Sequence, residues 1–373
     1  MTLSYVRTQE APKLPTPASS ASLLAKLIER FVPTPLSGFG TLVIASLLGW
    51  AIWSIFQWAI INAVWIAADR EPCNAVGAGA CWPFVQAKAL QWVYGFYPIE
   101  ERWRANIVFL LGGLSMAGLL IPKVPYKGWN ALFFFIAFPI IAYILLTGGR
   151  FGLEVVGTEQ WGGLLVTLIV AITGIVASVP LGIMLALGRR SEMPVVRTLC
   201  TGFIEIVRGV PLITVLFMAS VMFPLFMPPG VNPDKLLKAL VGVGLFSAAY
   251  MAEVVRGGLQ GIPKGQYEAS MAVGLSYWRT MLLVVMPQAL KIVIPGIVNS
   301  FISLFKDTSL VSIIGIFDLF NIVQSGFNDA KWASAQTGNT GYFTLALIYW
   351  VFCFSMSRYS QFIERKLNTG HTR

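Results

Sequence analysis

Eight apolar runs, each about as long as a lipid bilayer is thick, constrain this 373-residue chain more than any other feature. A helix that crosses the hydrocarbon layer, ~30 Å thick, needs about 20 mostly apolar residues. The runs lie approximately at residues 41–68, 105–121, 129–147, 161–188, 201–228, 236–255, 292–316 and 341–357. Only 12% of the residues are charged, against roughly a quarter in soluble domains. The sequence therefore predicts an all-α polytopic membrane protein with about eight transmembrane helices.

The distribution of basic residues predicts how these helices are oriented. The chain carries 27 Lys and Arg against 17 Asp and Glu, a formal net charge of +10. Lys and Arg collect in the cytoplasmic loops of membrane proteins. With cytoplasmic N- and C-termini, seventeen basic residues lie on the cytoplasmic side and eight on the opposite side. We therefore interpret the positive charge as a membrane-insertion signal in a lipid environment, and not as a nucleic-acid-binding surface.

The order of the runs predicts four regions. They are a cytoplasmic N-terminal segment at residues 1–36, a three-span extension at 37–147 with an external loop at 69–104, a core at 148–360 with a cytoplasmic loop at 256–291, and a cytoplasmic tail at 361–373. All charged residues within predicted spans fall in the core. Because such charges are costly in lipid and usually serve a function, we expect the core to be the working part.

Cys73 and Cys81 lie in the predicted external loop, and an oxidising compartment outside the membrane would favour a disulfide between them. Closing so short a loop contributes ~2–3 kcal/mol on a loop-entropy estimate. The alternative is two free thiols in a loop that is ordered by Trp82, Trp92 and Trp103. The sequence leaves both alternatives open.

Two features of the sequence limit the enzymatic functions that this chain can have. The single histidine, His371, lies near the end of the chain, which argues against His-based catalysis and predicts no metal site. No G-x-x-x-x-G-K-[ST] motif occurs, so this sequence cannot supply a P-loop ATP site. We therefore expect a protein that is not an enzyme and has no cofactor of its own.

The cytoplasmic loop at 256–291 is too polar to span the membrane and too apolar to be a flexible linker. Tyr267, Ala269 and Ala272 are separated by polar or small residues, which is typical of a short amphipathic helix. Gly274 permits a left-handed turn into a second helical stretch. The loop therefore predicts an exposed helix-turn-helix element, which either docks in a groove of another protein or packs on its own membrane domain.

The residues of this loop resemble the EAA loop of ABC-importer permease subunits. The family pattern is Glu-Ala-Ala, three residues, Gly, nine residues, Ile, any residue, Leu and Pro; the matching positions are Glu268, Ala269, Ser270, Gly274, Val284, Val285, Met286 and Pro287. Ser270, Val284 and Met286 depart from the pattern in residue type but keep its spacing. In that family the loop docks into a cleft of the ATPase subunit. The resemblance implies a set of ATPase-coupling residues: Tyr267, Glu268, Ala269, Ser270 and Gly274.

Further segments resemble permeases for polar amino acids, namely residues 205–212, 249–258, 265–268 and 305–310. The three preceding spans and the cysteine-containing loop are similar to a narrower group, the general L-amino acid permeases of Gram-negative bacteria. The resemblance implies a subunit of a broad-specificity L-amino acid importer in the bacterial inner membrane. It also implies the partners of such a subunit: two ABC ATPase subunits that bind ATP and Mg, a second homologous permease subunit, and a periplasmic amino-acid-binding protein.

Two similar five-residue segments place charges near helix ends. Glu205 and Arg208 in the first, and Glu253 and Arg256 in the second, are spaced i, i+3 and therefore share a helical face. One interpretation is a pair of interacting elements near the inner mouth of a transport pathway. The other is two separate salt bridges that anchor helix ends at the membrane interface.

Lys306 and Asp307 lie within the seventh apolar run, where a charged side chain needs a partner or water. Because they are adjacent, their side chains diverge by about 100° around a helix, and we do not expect them to pair with each other. An amino-acid substrate offers both a carboxylate and an ammonium group. Four nearby side chains add polar groups to this set of substrate-pathway candidates: Asn299, Ser303, Thr308 and Ser309. Interhelical pairing and contact with an external binding protein are the alternatives.

Two other functions compete with the importer. A secondary transporter typically has two repeats with broken helices near the membrane midplane, whereas the repeated segments here lie near helix ends. A secondary transporter also leaves the exposed loop at 256–291 unexplained. An intramembrane enzyme or assembly scaffold needs a convergent set of catalytic or metal-binding groups, and a single terminal histidine argues against such a set.

Overall fold

The computed structural model of the chain describes residues 29–228, 230 and 233–368. Most of the predicted N-terminal segment 1–36 lies outside the described residues, as does His371. The described part of the chain is mainly helical, and its β-type pairing consists of isolated bridges such as the one between Val64 and Cys81.

The helices are numbered here in chain order. They are α1 (Pro35–Phe56), α2 (Trp82–Tyr94), α3 (Arg102–Leu120), α4 (Lys127–Thr147), α5 (Gly163–Arg189), α6 (Pro194–Gly209), α7 (Leu212–Phe226), α8 (Lys235–Gln260), α9 (Lys264–Ala272), α10 (Tyr277–Ile314), α11 (Leu319–Ser325) and α12 (Thr337–Asn368). Within the described residues, seven helices are long and apolar enough to cross a membrane, and the number is eight if the bent pair α6 and α7 forms one span. The predicted all-α polytopic fold with about eight spans is therefore confirmed.

Several predicted boundaries are wrong. The first span begins at Pro35, where Thr34 and Ser37 form a capping box, and it ends with a π-helical turn at Ile61 instead of near residue 68. The last helix, α12, continues through much of the predicted tail to Asn368.

The predicted span 201–228 is not one straight helix. It is part of the pair α6 and α7, which are bent by 107° relative to each other. Pro211 lies at the break, and Val210 before it is extended, with φ −113° and ψ 147°. Proline lacks a backbone N–H and disfavours a helical conformation of the preceding residue, which explains the break.

The predicted cytoplasmic loop 256–291 is much shorter in the structure, because α8 continues to Gln260 and α10 begins at Tyr277. Only residues 261–276, which include α9, lie between the two helices. Met281, Val285 and Ala289 are buried in one cluster with residues of α8. Their four-residue spacing places them on one helical face, so packing on α8 extends α10 beyond the apolar run that defined the predicted span.

The chain divides into two compact units, and the first comprises residues 29–63 and 76–80 of the described chain. It contains α1, whose apolar residues lie on all sides, as expected for a helix surrounded by lipid. Gly79 donates its backbone N–H to the carbonyl oxygen of Asn62. A Cβ at Gly79 would lie within 3.0 Å of this backbone, so a larger residue would not fit here.

The second unit comprises residues 64–75 and 81–368 of the described chain, and its centre is the packing of α5, α8 and α10. Glycines allow the close approach of these helices. A Cβ on Gly182 of α5 would lie 2.7 Å from the side chain of Met251 in α8, and one on Gly258 would lie 2.6 Å from the carbonyl oxygen of Ala289 in α10. Small residues at helix contacts are the usual means of close packing in membranes.

A disulfide joins Cys73 and Cys81, and both cysteines are buried in a cluster with residues of α2, α11 and α12. The backbone N–H of Cys81 donates to Thr340 Oγ1 of α12 at 2.9 Å. Lys88 of α2 forms an ion pair with Asp329, and this ammonium group lowers the pKa of the Asp329 carboxyl. Covalent, polar and ionic contacts within the second unit therefore hold the residues around the disulfide.

Asp318, between α10 and α11, is fully buried and caps the N-terminus of α11. Its carboxylate accepts hydrogen bonds from the backbone N–H groups of Phe320 and Asn321 at 3.0 and 3.1 Å. These bonds stabilise the charged form, but burial is the larger effect and raises the pKa of Asp318 to about 7.

Candidate functional site

A cavity of about 320 Å³ lies between α5, α8 and α10. Its volume falls at the lower end of the range of small-molecule sites, about 300–1,000 Å³. The lining combines polar and apolar side chains: Ser178, Phe246, Ser247, Tyr250, Met251, Asn299, Ser300, Phe301, Ser303, Leu304 and Asp307. The cavity therefore offers an apolar wall together with a small number of polar groups.

Three of the predicted substrate-pathway residues line this cavity: Asn299, Ser303 and Asp307. Helical spacing brings them together, since positions 299, 303 and 307 recur every four residues on α10. Among the described residues, no side chain or backbone group forms a hydrogen bond or ion pair with the Asn299 amide or the Asp307 carboxylate. By contrast, the hydroxyl of Ser178 donates to the carbonyl oxygen of Ile175 at 2.9 Å. Asn299 and Asp307 are thus available for a ligand.

The other three predicted substrate-pathway residues are absent from the lining. Lys306 is exposed and forms no ion pair with Asp307 within 4 Å, in agreement with the predicted divergence of the two side chains. Thr308 is buried, and its hydroxyl donates to the carbonyl oxygen of Phe305 at 2.7 Å. The Ser309 hydroxyl donates to the carbonyl oxygen of Lys306 at 2.9 Å. The two hydroxyls therefore donate to backbone carbonyl oxygens of their own helix. The spacing of the residues in the sequence does not reveal these bonds.

A cluster of charged side chains lies where the C-terminal parts of α5, α6 and α8 meet. Its centre is Glu253 of α8, one carboxylate oxygen of which accepts from Arg189 of α5 at 2.6 Å. The other oxygen accepts from Arg256 at 2.7 and 2.9 Å, and Arg208 of α6 approaches it to 3.8 Å. Three guanidinium groups thus share one carboxylate.

The predicted pair of Glu253 with Arg256 is present, but the predicted pair of Glu205 with Arg208 is wrong. Glu205 instead accepts a hydrogen bond from Arg189 at 3.1 Å. Arg208 turns towards α8, where its guanidinium lies 5.4 Å from the centre of the Tyr250 ring. Tertiary contacts with α5 and α8 therefore replace the local i, i+3 pair. The two segments form one cluster instead of two separate salt bridges.

Tyr250 contacts both the cavity and the charged cluster. Its ring lines the cavity and also lies beside the Arg208 guanidinium, at a distance typical of a cation–π contact. The charged cluster and the cavity are therefore in contact through this one aromatic side chain.

Helix α9 carries the residues that resemble the EAA loop. Ser270 is buried, and its hydroxyl donates to the carbonyl oxygen of Gln266 at 2.7 Å. Glu268 and Ala269 are exposed. Gly274 ends the helix with φ of +80°, which confirms the predicted left-handed turn. The helix therefore presents one face to solvent and packs with the other.

Arg190, which directly follows α5, contacts this helix. Its guanidinium donates to the hydroxyl of Tyr267 and to the carbonyl oxygen of Leu259, both at 3.3 Å, and lies 5.9 Å from the Tyr267 ring centre. Tyr267 thus faces its own membrane domain, whereas the resemblance assigned it to docking with the other loop residues.

Sequence reasoning missed Arg189, Arg190 and Tyr250 as site residues. The prediction of helix orientation uses the two arginines only as basic residues of a cytoplasmic loop. An Arg-Arg pair at the end of an apolar run is a common helix-end anchor, so its sequence gives no sign of its partners. Tyr250 lies within an apolar run, where an aromatic residue is ordinary.

Within the described residues, no group of three or more His, Cys, Asp and Glu side chains is arranged to bind a metal ion.

Comparison with known proteins assigns the family. Residues 178–369, about half of the chain, match the family model for binding-protein-dependent transport system inner membrane components. The chain is 54% identical over 327 residues to the inner membrane amino-acid ABC transporter permease protein YhdY of Escherichia coli strain K12, covering 87% of this chain and 88% of that relative.

Two further relatives differ in how much of the chain they match. The glutamate/glutamine/aspartate/asparagine transport system permease protein BztC of Rhodobacter capsulatus is 38% identical and matches 99% of both chains. The L-cystine transport system permease protein TcyB of Bacillus subtilis is 33% identical and matches 56% of this chain but 86% of its own length. The chain therefore belongs to the family of binding-protein-dependent transport system inner membrane components.

Proposed function

We propose that this chain is the membrane permease subunit of an ATP-driven ABC importer for L-amino acids of varied side chain. Two relatives that match most of the chain are named as amino-acid transport permeases, which supports the substrate class. The observation that carries the proposal most directly is the exposed helix α9, which lies between two spans and presents Glu268 and Ala269 to solvent. A lone transport domain has no need of such a surface.

The distribution of basic residues supports an orientation in which α9 and both termini are cytoplasmic. The family description and the name of one relative support a location in the inner membrane of a bacterium. In this orientation Glu268, Ala269 and Gly274 face an ATPase subunit. Tyr267 and Ser270 contribute by fixing the position of α9 on its own membrane domain. ATP hydrolysis is the task of the partner, which binds ATP and Mg, and the permease itself is not an enzyme.

The cavity between α5, α8 and α10 supports a role in substrate passage. Asp307 can accept hydrogen bonds from an ammonium group, and the amide of Asn299 can donate to a carboxylate. The apolar wall, with Phe246, Phe301 and Leu304, suits side chains of different shape without selecting one. Exposed Lys306 remains a candidate for a second contact with the substrate or with the external binding protein.

The proposal requires partners. Two ABC ATPase subunits would drive closure, a second homologous permease subunit would complete the pathway, and a periplasmic amino-acid-binding protein would deliver the substrate. Transport then follows from alternating access, in which nucleotide binding shifts the population of inward- and outward-open states.

Isolation of the native complex tests this function. The tagged chain, gently solubilised from its own membrane, is expected to co-purify with an ATP-hydrolysing subunit. Glu268→Lys reverses an exposed charge in the docking surface, so we expect normal membrane insertion, loss of the ATPase and at least a tenfold decrease in amino-acid uptake. Glu192→Lys is the matched control, because Glu192 is also exposed and lies between α5 and α6.

Two outcomes would contradict the proposal. One is a chain that purifies without an ATPase and transports amino acids in liposomes driven by an ion gradient. The other is full uptake by the Glu268→Lys variant, which would remove α9 from the coupling mechanism.

A further inference from the structure

The structure contains an unbroken series of contacts from α9 to the wall of the cavity. We propose that Arg189 and Arg190 are positioning residues that transmit the movement of α9 to Arg208 and Tyr250, and so control the cytoplasmic side of the cavity. This inference rests on the proposed importer function and adds to it the residues through which one movement would produce the other.

The first contact of the series joins α9 to the end of α5. Arg190 donates hydrogen bonds to the Tyr267 hydroxyl in α9 and to the Leu259 carbonyl oxygen near the end of α8, both at 3.3 Å. One terminal nitrogen of the guanidinium group, Nη1, donates both bonds, so this single group connects the two elements. Movement of α9 therefore acts on the last turn of α5.

The second contact joins the same turn to the charged cluster. Arg189 is the neighbour of Arg190, and successive side chains on a helix diverge by about 100°. The Arg189 guanidinium accordingly reaches a different pair of groups, Glu253 at 2.6 Å and Glu205 at 3.1 Å. The two adjacent arginines thus connect α9 on one side with α6 and α8 on the other.

The third contact joins the cluster to the cavity. Arg208 is the most weakly held of the three guanidinium groups around Glu253, at 3.8 Å against 2.6 Å for Arg189 and 2.7 Å for Arg256. It also lies beside the ring of Tyr250, which lines the cavity. A change in the position of Glu253 would therefore reach Tyr250 in the cavity wall through Arg208.

The charges of the cluster allow it to adopt more than one arrangement. Arg189, Arg208 and Arg256 surround two carboxylates, Glu205 and Glu253, so the cluster has an excess of one positive charge. When Arg189 moves with α5, Glu253 can exchange it for Arg208 and keep two cationic partners. Both arrangements leave the carboxylate paired, which makes the cluster suitable as a two-state element that nucleotide binding can bias.

An anchoring role makes a different prediction from a transmitting role. If the arginines only hold helices together, their loss should reduce the amount of intact complex and reduce hydrolysis and uptake in proportion. If they transmit movement, the complex should assemble and hydrolyse ATP, but each ATP should move less substrate.

The test uses the native complex, reconstituted in proteoliposomes with its co-purified subunits and supplied with a mixture of radiolabelled L-amino acids. For Arg190→Ala we expect ATPase co-purification like that of the unmodified complex, ATP hydrolysis within about twofold, and at least a tenfold decrease in uptake per ATP. Arg190→Lys keeps the charge but not the planar donor group, and should give an intermediate ratio. Arg197→Ala, at an exposed arginine of α6 outside the contact series, should leave the ratio unchanged.

A double-mutant cycle tests whether the contacts act in series. Arg190→Ala and Arg208→Ala alter opposite ends of the proposed route, so we expect the double variant to be no worse in uptake per ATP than the worse single variant. Two separate defects would instead multiply. Multiplied defects, or an uptake loss that matches the loss of assembled ATPase, would overturn the inference. Absence of an ATPase from the unmodified complex would instead contradict the proposed function.

Discussion

At the scale of single residues, the polar groups around the cavity differ in whether the protein already satisfies them. The hydroxyls of Ser178 and Ser300 donate to carbonyl oxygens of their own helices. Among the described residues, the Asn299 amide and the Asp307 carboxylate have no such partner. Asn299 is exposed and Asp307 is partly buried, so both side chains can be reached from the cavity. We therefore expect a substrate contact to matter most at these two side chains.

Asp307→Asn tests this expectation directly. The change preserves the shape of the side chain but removes the negative charge that would face a substrate ammonium group. A hydrogen bond to a charged group contributes ~1.5–3 kcal/mol, so uptake at low substrate concentration should fall about 10- to 100-fold. The measurement is ATP-driven uptake of labelled amino acids by the reconstituted complex.

Ser309→Ala is the matched control for Asp307→Asn. Its hydroxyl donates to the backbone of Lys306 and does not line the cavity, so uptake should stay within about twofold of normal. Normal uptake by Asp307→Asn would place the substrate pathway elsewhere in the complex.

At the scale of helices, contacts of glycine with the neighbouring helix determine how closely α5, α8 and α10 approach. Gly257 and Gly258 are adjacent in α8, yet only Gly258 faces α10. A Cβ on Gly258 would lie 2.6 Å from the Ala289 carbonyl oxygen, whereas one on Gly257 would meet no atom within 4 Å. A backbone oxygen cannot turn away as a flexible side chain can, so the close approach of α8 and α10 requires glycine at position 258.

Gly258→Ala is expected to destabilise the chain by ~1–3 kcal/mol, the usual cost of forcing atoms into a packed interior. Gly257→Ala provides the same gain in helix propensity, up to ~1 kcal/mol, without the clash. Thermal unfolding of the two variants in detergent should therefore show a lower Tm for Gly258→Ala and an equal or higher Tm for Gly257→Ala. Equal Tm values for the two variants would mean that α8 and α10 can separate without cost.

At the scale of the whole molecule, residues near the disulfide contact distant parts of the second unit, to which they belong, at several points. Cys81 contacts Thr340 of α12, and Lys88 pairs with Asp329. The backbone N–H of Ala335 also donates to the Asn74 side chain at 3.2 Å. These contacts join parts of the chain that are far apart in sequence, so we expect them to affect the stability of the folded chain as a whole.

Reduction of the disulfide should therefore lower the stability of the chain. A disulfide that closes so short a loop contributes ~2–3 kcal/mol by restricting the unfolded chain. We expect a lower Tm after treatment with reductant, and the same lower Tm for the double variant Cys73→Ser, Cys81→Ser. The reductant should have no further effect on that variant; an unchanged Tm in both experiments would contradict a stabilising role.

The candidate site was only partly predictable from sequence. The turn at Gly274 and the grouping of Asn299, Ser303 and Asp307 follow from local rules, because left-handed glycine and helical spacing depend on nearby residues. The partners of Arg189 and Arg208 depend on which helix ends meet, and nothing local specifies that. The i, i+3 rule accordingly succeeds for Glu253 with Arg256 and fails for Glu205 with Arg208.

The amino-acid sequence alone predicts a helical chain that crosses a membrane about eight times, and its loop motif resembles that of ABC-importer permeases. Each of these conclusions rests on a property of short segments: the cost of leaving backbone groups unpaired in lipid, the length of an apolar run, or a motif of fixed spacing. Only the folded structure reveals where the helices begin and end, which polar side chains in the cavity have no partner among the described residues, and how Arg189 and Arg190 connect α9 to Tyr250. Those features arise from packing between distant segments, where a charged side chain pairs with the group that a neighbouring helix places near it.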